Sequence, residues 1–476
     1  MEPRILDPEP VESLAAYLEA GGGRGLDVAR RLGPIGIIDH VEASGLRGRG
    51  GAGFSTGLKW RTVAENLSIT VPPTVVVNAA EGEPGTFKDR TLLRRNPYKV
   101  LEGALVAATA VGADRVIVAM KASFVTEVAR MRSAMAEVGA RAWADGLELV
   151  VFEGPSHYLY GEETALLEVV AGRQPFPRIA PPFRHGVEEV GADTVSAAQV
   201  TMASEDNRSA VPPTLVNNVE TLANVPAILA EGPDWYRSVG TPESPGTIVC
   251  TITGRTRRHG VAEFAMGTPL REVIEAVGGG PAPGTRVVAV MSGVANPLLP
   301  EALLDTPLSY EAMEAAGAGL GSAGFIVYDD TTDLVAVAAG VSRFLAVESC
   351  GQCTPCKQDG RTLAELLDRL RASTTDEHAL TVIGDKLTTV ADGARCYLAT
   401  QHQLVVESVL ALFPEQVRSH AAGEAEAAPP ELIAAILDLE DGRAVLDEGH
   451  LDKQPDWTFD DVDSGQSPAD RIDQRA

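Results

Sequence analysis

Short apolar runs alternate with stretches of helical periodicity through the first half of the chain. Thr74–Ala80, Arg115–Met120 and Leu147–Glu153 are nearly unbroken apolar runs with polar or glycine borders, and they predict buried strands. A helical stretch around Tyr98–Val111 separates the first two, and another, Phe124–Val138, leads to the third. Strand, helix, strand, helix, strand in that order predicts an α/β fold built in layers. Ahead of it, residues 1–45 read as helix and loop, broken at Gly21-Gly22-Gly23-Arg24-Gly25, and a glycine-dense segment follows from Gly45 to Gly57.

The pattern changes after a boundary between Gly232-Pro233 and Pro245. Thr247–Thr253, Arg286–Val290 and Gly324–Tyr328 predict a small β-rich unit with a short helix at Pro269–Val277. From Asp333 to Leu412 the periodicity is helical. Residues 421–476 carry fifteen Asp/Glu against four Lys/Arg, which predicts a solvated acidic tail after one short apolar helix, Glu431–Leu439. Trp457 and Phe459 are the signs of docking within it.

Charge narrows the choice of ligand. With 40 Lys+Arg against 66 Asp+Glu among 476 residues the formal charge is −26, which repels phosphate backbones and argues against a nucleic-acid partner. Any nucleotide would have to be held by local donors. The acidic start MEPRILDPEPVESL does not resemble a signal peptide, and the most apolar region, Val100–Met120, is interrupted by Asp114 and Arg115. A soluble, cytoplasmic protein without direct membrane insertion is expected.

Five cysteines (Cys250, Cys350, Cys353, Cys356 and Cys396) are an odd count, with three crowded into seven residues, which suits a reducing compartment and a cluster site. Cys350-x-x-Cys353-x-x-Cys356 supplies three thiolates from one tight loop, and Cys396 follows 40 residues later. That spacing favours a cubane [4Fe–4S] cluster over zinc, because three ligands two residues apart crowd a single tetrahedral ion. A redox pair would leave two of these cysteines unexplained. Pro355 stiffens the loop, and Gly351 lets backbone N–H groups turn toward sulfur. Cys250, inside the apolar TIVCTITG, reads as a structural thiol.

Gly48-Arg-Gly50-Gly51-Ala-Gly53 formally satisfies G-x-G-x-x-G, yet Ile37–Ala43 before it looks like a helix end and not the strand of a dinucleotide turn. Five glycines in nine residues, with Arg47, Arg49 and Lys59 nearby, make a cradle of backbone donors suited to phosphate or a flat ring. An ordinary surface loop has the same composition. Asn78-Ala-Ala-Glu81-Gly-Glu83 follows a buried strand and offers acceptors for ribose hydroxyls or a carboxamide. Gly161-Glu162-Glu163-Thr164 and Asn217-Asn218 repeat that chemistry, and each taken singly reads as a helix cap.

Together the stretches GLRGRGGAGFSTGLKW, NAAEGEPGTFKDRTLL, YGEETALLE, PPF, NNVETLANVPAI and ESCGQCTPC resemble the 51-kDa-type flavoprotein subunit of respiratory complex I. The same module occurs in NAD-linked formate dehydrogenases and in NAD-reducing or bifurcating hydrogenases. The resemblance implies an FMN- and NADH-binding α/β domain at 1–240, a ubiquitin-like β-grasp unit at 241–332, a helical [4Fe–4S] domain at 333–420 and an acidic extension at 421–476. It implies FMN contacts from Gly48, Gly50, Gly51, Lys59, Asn78, Glu81, Tyr158, Gly161, Glu162, Asn217, Asn218 and Thr221. NADH would meet Phe54, Glu83, Glu163 and Phe183, and Cys350, Cys353, Cys356 and Cys396 would hold the cluster. The implied reaction is NADH oxidation by hydride transfer to FMN and single-electron passage to the cluster, with no protein base required. Glu83 and Glu163 would repel a 2′-phosphate and favour NAD. A separate [2Fe–2S] thioredoxin-like partner subunit is expected within a larger redox complex, at the inner membrane only through other subunits.

Three positions depart from the family pattern. Ala80 stands where Asp is usual, Ala180 where Lys usually precedes PPF, and Thr62 where a ring is common. A relay or structural paralogue with a degenerate nucleotide pocket is therefore the competing expectation, as is the NAD-reducing diaphorase of a formate dehydrogenase or hydrogenase.

Overall fold

The computed structural model describes residues 2–67, 71–141, 143–144, 146–179, 213–375 and 377–474. The chain divides into two units: Met1–Glu81 with Lys88–Val249 and Val261–Thr268, and Gly82–Phe87 with Cys250–Gly260 and Pro269–Ala476.

In the first unit, α1 (Leu14–Glu19), α2 (Arg24–Ser44) and α3 (Thr56–Glu65) precede β1 (Thr74–Ala79). Then follow α4 (Lys88–Arg95), α5 (Pro97–Val111), β2 (Arg115–Lys121), α6 (Val125–Ala140), β3 (Glu148–Gly154), α7 (Glu163–Val170), β4 (Thr214–Asn218), α8 (Val219–Glu231) and α9 (Pro233–Arg237). The four strands form a sheet in the order β3-β2-β1-β4, and every pairing is parallel. Parallel strands are covered on both faces, which is why β1 and β2 read as continuous apolar runs. Val75, Val77 and Ala79 pack with α2, α5 and α8, while Val76 and Ala80 join Tyr160, Leu166 and Leu167 on the opposite face.

The strands expected from the pattern are present within one residue at either end, as are the two helices between them within two. Helix α5 illustrates why. Asn96 accepts the Lys99 N–H at 3.1 Å, Pro97 occupies the first turn, and Gly112 closes the helix at φ 68°. Strand β4 and helix α8 went unread, because TLVNN is only five residues long and its second half is polar.

After the short segment Gly82–Phe87, the chain enters the second unit again within β5 (Thr247–Gly254), at Cys250, and returns briefly to the first unit through β6 (Gly260–Ala265). There the Glu263 carboxylate accepts the N–H groups of Arg4, Ile5 and Leu6, each at 2.9 Å, and ties down the N-terminus. Beyond α10 (Leu270–Val273) come β7 (Val287–Ser292), β8 (Leu299–Pro300), α11 (Tyr310–Ala315) and β9 (Gly324–Asp329). Strand β9 pairs in parallel with the end of β5 and antiparallel with β7. A bundle follows: α12 (Leu334–Glu348), α13 (Thr354–Arg371), α14 (Glu377–Thr389), α15 (Leu398–Leu412) and α16 (Pro414–Ala421).

The C-terminal expectation needs two corrections. The apolar helix placed at Glu431–Leu439 is instead β10 (Ile436–Glu440), paired antiparallel with β11 (Arg443–Leu446). Asp441 and Gly442 have φ of 49° and 71°, the left-handed pair that a two-residue hairpin demands. That Asp-Gly signal stood in the sequence, and the apolar run before it outweighed it. Nor is the acidic end a solvated tail: His450, Lys453 and Asp456 are buried, and the Trp457 Nε1–H donates to the Val347 carbonyl at 2.9 Å.

Candidate functional site

The chain leaves β1 for β2 and β3 on one side, then returns to place β4 on the other. Such a reversal opens a crevice at the carboxyl ends of the two diverging strands, where doubly wound sheets bind their ligands. Asn78 and Asn218 are register partners at that end, and Asn217 pairs with Val77. The pattern of strands therefore delivers amide side chains to the crevice mouth.

Each is held. Asn78 donates to the Gly161 carbonyl at 2.8 Å and accepts the Ala80 N–H at 3.2 Å. Asn217 accepts from the fully buried Trp60 indole at 2.8 Å. Asn218 caps α8 by accepting the Glu220 N–H, and its amide donates to Asp89 Oδ2 at 2.6 Å. Glu162 caps α7, accepting the N–H groups of Thr164 and Ala165 at 3.0 and 2.8 Å. Burial raises its carboxyl above the usual range, and the Thr164 and Ala165 donors only partly offset this. The helix-cap reading of both motifs therefore holds.

Beneath lies a buried charge network that sequence reasoning did not assign. Lys88 Nζ lies 2.7 Å from Asp89 Oδ1 and 2.8 Å from Glu220 Oε2. Burial alone would lower this ammonium, yet Asp89 and Glu220 hold it above its ordinary range. Glu81 accepts the Asp89 N–H at 2.9 Å and the Arg90 Nε–H at 3.1 Å, which fixes the start of α4. No local signal marks it, because KDR and VET read as ordinary surface charge until the fold buries and pairs them.

The glycine loop closes on itself. The Gly48 N–H donates to the Phe54 carbonyl at 2.8 Å, Arg47 Nε–H to Gly53 O at 2.7 Å, and the Arg49 N–H to Thr221 Oγ1 at 2.9 Å. Arg49, counted among the cradle's cations, points inward instead. Its buried guanidinium donates to Tyr236 Oη and to the Thr247 carbonyl. Lys59, on α3, is ion-paired with Glu163 at the start of α7. A Cβ at Gly50 would lie 3.3 Å from Asn218, and one at Gly161 would lie 3.2 Å from Ala80 O. Bare backbone, strand-end amides and the buried Thr56 hydroxyl, which has no hydrogen-bond partner among the described residues, suit a polar ring bearing phosphate.

Gly51, at φ 127°, shapes the loop, Tyr158 is half-buried in the turn before α7, and Phe54 is 55% exposed. Glu83 lies in the second unit and accepts the Val294 N–H at 2.6 Å. Phe183 and Ala180 fall outside the described residues. Ala80 packs in the apolar cluster of Tyr160 and Leu166, and the Thr62 hydroxyl is spent on the Leu58 carbonyl at 2.8 Å.

The cysteines lie in the second unit. Cys350 and Cys353 occupy the loop between α12 and α13, Cys353 at the N-cap and Cys356 in the first turn beside Pro355. The Arg395 N–H donates to Cys353 Sγ at 3.4 Å, bringing the Cys396 segment to the loop. Ser349 Oγ lies 3.3 Å from Cys356 Sγ, and Gln352 Nε2 donates to Cys350 Sγ at 3.6 Å. Burial pushes the Cys356 thiol up to about 11 and raises that of Cys350. A positively charged guest would be needed to hold both as thiolates. Among the described residues no three His, Cys, Asp or Glu side chains converge on a single-ion position. N–H donors aimed at sulfur fit the surroundings of an iron–sulfur cluster, whose sulfurs such donors stabilise.

Residues 41–227 match the family described as Nuo51 FMN-binding domain, and residues 336–420 match the NADH-ubiquinone oxidoreductase-F iron-sulfur binding region. An NADH-quinone oxidoreductase subunit of Rhizobium meliloti (strain 1021) is 39% identical over 381 residues, covering 78% of this chain and 85% of that protein. The chain belongs to the NADH-quinone oxidoreductase-F family. Its counterpart in Rickettsia typhi (strain ATCC VR-144 / Wilmington) is likewise 39% identical, over 344 residues that cover 70% of this chain and 76% of that one. Among solved structures, the NAD+-reducing [NiFe]-hydrogenase in the H2-reduced state matches with a TM-score of 0.73 at 31% identity. That match covers 86% of this chain and 66% of the hydrogenase chain. Both family regions fall where the crevice and the cysteine loop stand. No helix among the described residues is long and apolar enough to cross a membrane.

Proposed function

We infer that this chain oxidises NADH as the flavoprotein subunit of a multi-subunit redox complex and passes single electrons to a [4Fe–4S] cluster. The observation that carries the reading is the crevice where β1 and β4 diverge, edged by Asn78 and Asn218 and joined by the glycine loop, in a chain whose other unit bears the four-cysteine loop. FMN, bound there, supplies acceptance of a hydride from nicotinamide and release of its electrons one at a time.

The chain's own residues bind, orient and exclude water. Gly48, Gly50, Gly51 and Gly161 would present bare backbone to FMN, and Asn78, Asn217, Asn218 and Thr221 would frame its edge. Lys59, Glu81, Tyr158 and Glu162 would complete the polar wall. The Lys88–Asp89–Glu220 network keeps Asn218 in one orientation and so preorganises the crevice. Phe54, more than half exposed, offers a face on which adenine can stack, and Glu163 beside Lys59 would orient ribose hydroxyls while repelling a 2′-phosphate. Cys350, Cys353, Cys356 and Cys396 would hold the cluster. A separate [2Fe–2S] subunit would receive the electrons.

The test is NADH:ferricyanide turnover by the chain loaded with FMN and iron, with NADPH as control. The reading expects turnover with NADH in clear excess over NADPH. A flavin- and iron-loaded chain inert to both would reduce it to a relay or structural subunit.

A further inference from the structure

Residues 447–470 lie across the cysteine loop. The Ala469 N–H donates to the Cys350 carbonyl at 2.9 Å, a direct bond to the backbone of an expected cluster ligand. Next to it, Gly351 has φ +85°, and a Cβ there would lie 2.2 Å from the Ser467 Cβ, so Ser467 sits against the bare glycine. Ser467 is itself fixed, donating through N–H and Oγ to Asp470 Oδ2 at 3.0 and 2.6 Å.

The same segment grips the helices that flank the loop. On α12, the Trp457 indole donates to the Val347 carbonyl, Lys453 Nζ lies 2.6 Å from Glu348 Oε1, and the His450 ring stacks on Phe344 with centroids 4.8 Å apart. On α13, Lys357 donates to the Pro455 carbonyl, and Arg361 pairs with Asp463. Asp456 organises the turn between, accepting from Thr458 Oγ1 at 2.7 Å and from Ser464 Oγ at 2.6 Å. Part of the acidity of this segment is thus internal wiring. The carboxylates of Asp456, Asp463 and Asp470 serve as acceptors that give the segment one shape.

We propose that residues 447–470 are a strap that positions the Cys350–Gly351 turn and shields the cluster bound there from water and dioxygen. The proposal rests on the cluster reading above, and adds a role to a segment lying beyond both matched family regions, the second of which ends at residue 420. The loop that carries Cys350, Cys353 and Cys356, the first and last of them buried, is ordered by donors from about a hundred residues downstream, so the strap contributes through position rather than ligation.

Ala469→Pro removes the strap N–H that donates to the Cys350 carbonyl and leaves every cysteine in place, whereas Ala469→Gly retains it. Two rates decide the matter: deuterium uptake by the amides of residues 351–357 in the iron-free full-length chain, and loss of visible iron–sulfur absorbance in air after anaerobic reconstitution. Losing one buried hydrogen bond shifts a local opening equilibrium by about fivefold, so both rates should rise about fivefold in Ala469→Pro. Ala469→Gly should match the wild type, and Trp457→Phe, which keeps an aromatic side chain but loses the indole N–H and part of the ring, should move both rates in the same direction as Ala469→Pro. Wild-type rates in Ala469→Pro would overturn the strap. A wild-type chain that takes up no iron would sink the cluster reading and the shielding together, while the exchange rates alone would still decide whether the strap orders the turn.

Discussion

The crevice at the ends of β1 and β4 and the cysteine loop between α12 and α13 are organised in opposite ways. The crevice is set from within. Its amides sit at strand ends fixed by parallel register, and the buried Lys88–Asp89–Glu220 ions hold Asn218 from below. The cysteine loop is set from outside, by side chains and N–H groups of residues 450–470 that arrive far downstream. The first arrangement buries its charges, so removing one partner leaves an uncompensated ion. The second depends on separate hydrogen bonds, each of modest worth. A ligand site can thus be made rigid by desolvated charge or by a strap, and the two should fail differently.

The largest expected effect separates the two sites chemically. Cys353→Ser should abolish iron–sulfur absorbance and iron content while FMN is retained in full. Iron at wild-type level in this variant would remove Cys353 from the ligand set. Next, Lys88→Met leaves Asp89 buried without its cation and Glu220 with Arg49 alone, 3.9 Å away, and should cost about 3–5 kcal/mol of stability in the first unit. FMN should be lost and iron kept, the converse of the cysteine variant. Adding Glu220→Gln should recover part of the loss, and a Lys88→Met chain with unchanged Tm and flavin would contradict the account of the crevice.

Legibility followed the same divide. Parallel strands covered on both faces announce themselves as apolar runs, so Thr74–Ala79 and Arg115–Lys121 could be read directly, and Asn78 and Glu81 could be placed at a strand end. The role of Lys88 could not, because a lysine's burial depends on Asp89 and on Glu220, which lies 132 residues away in the chain. The strap was hidden for a similar reason. High acidic content is the mark of a solvated tail until its acceptors find donors, and only the fold brings Asp463 to Arg361 or Glu348 to Lys453. The cysteine spacing carried its meaning unaided, since x-x spacing within one loop is local geometry.

A smaller effect concerns the helical bundle that supports the loop. His402 on α15 bonds Ser342 of α12 at 2.6 Å, and burial lowers its imidazole to about 4 from an ordinary 6.5. The unfolded chain therefore binds this proton first on acidification. Stability from His402 is full above pH 6.5 and falls as pH drops toward 4, by up to about 3 kcal/mol. His402→Gln should flatten that part of the wild-type stability profile; a profile with the same slope in both would exclude His402. The smallest effect is expected at Ala180→Lys, where the cation usual in the family should lower the KM for NADH several-fold, roughly 1 kcal/mol. An unchanged KM would show that this position does not meet the nucleotide.

The central claim, that this chain takes electrons from NADH, is most directly tested by anaerobic titration of the FMN- and iron-loaded chain with NADH, following the flavin and iron–sulfur bands together. Bleaching of the flavin band at stoichiometric NADH, accompanied by reduction of the cluster, is the result the account predicts. Full occupancy by FMN and iron with no bleaching, alone or after addition of a [2Fe–2S] partner subunit, would contradict it.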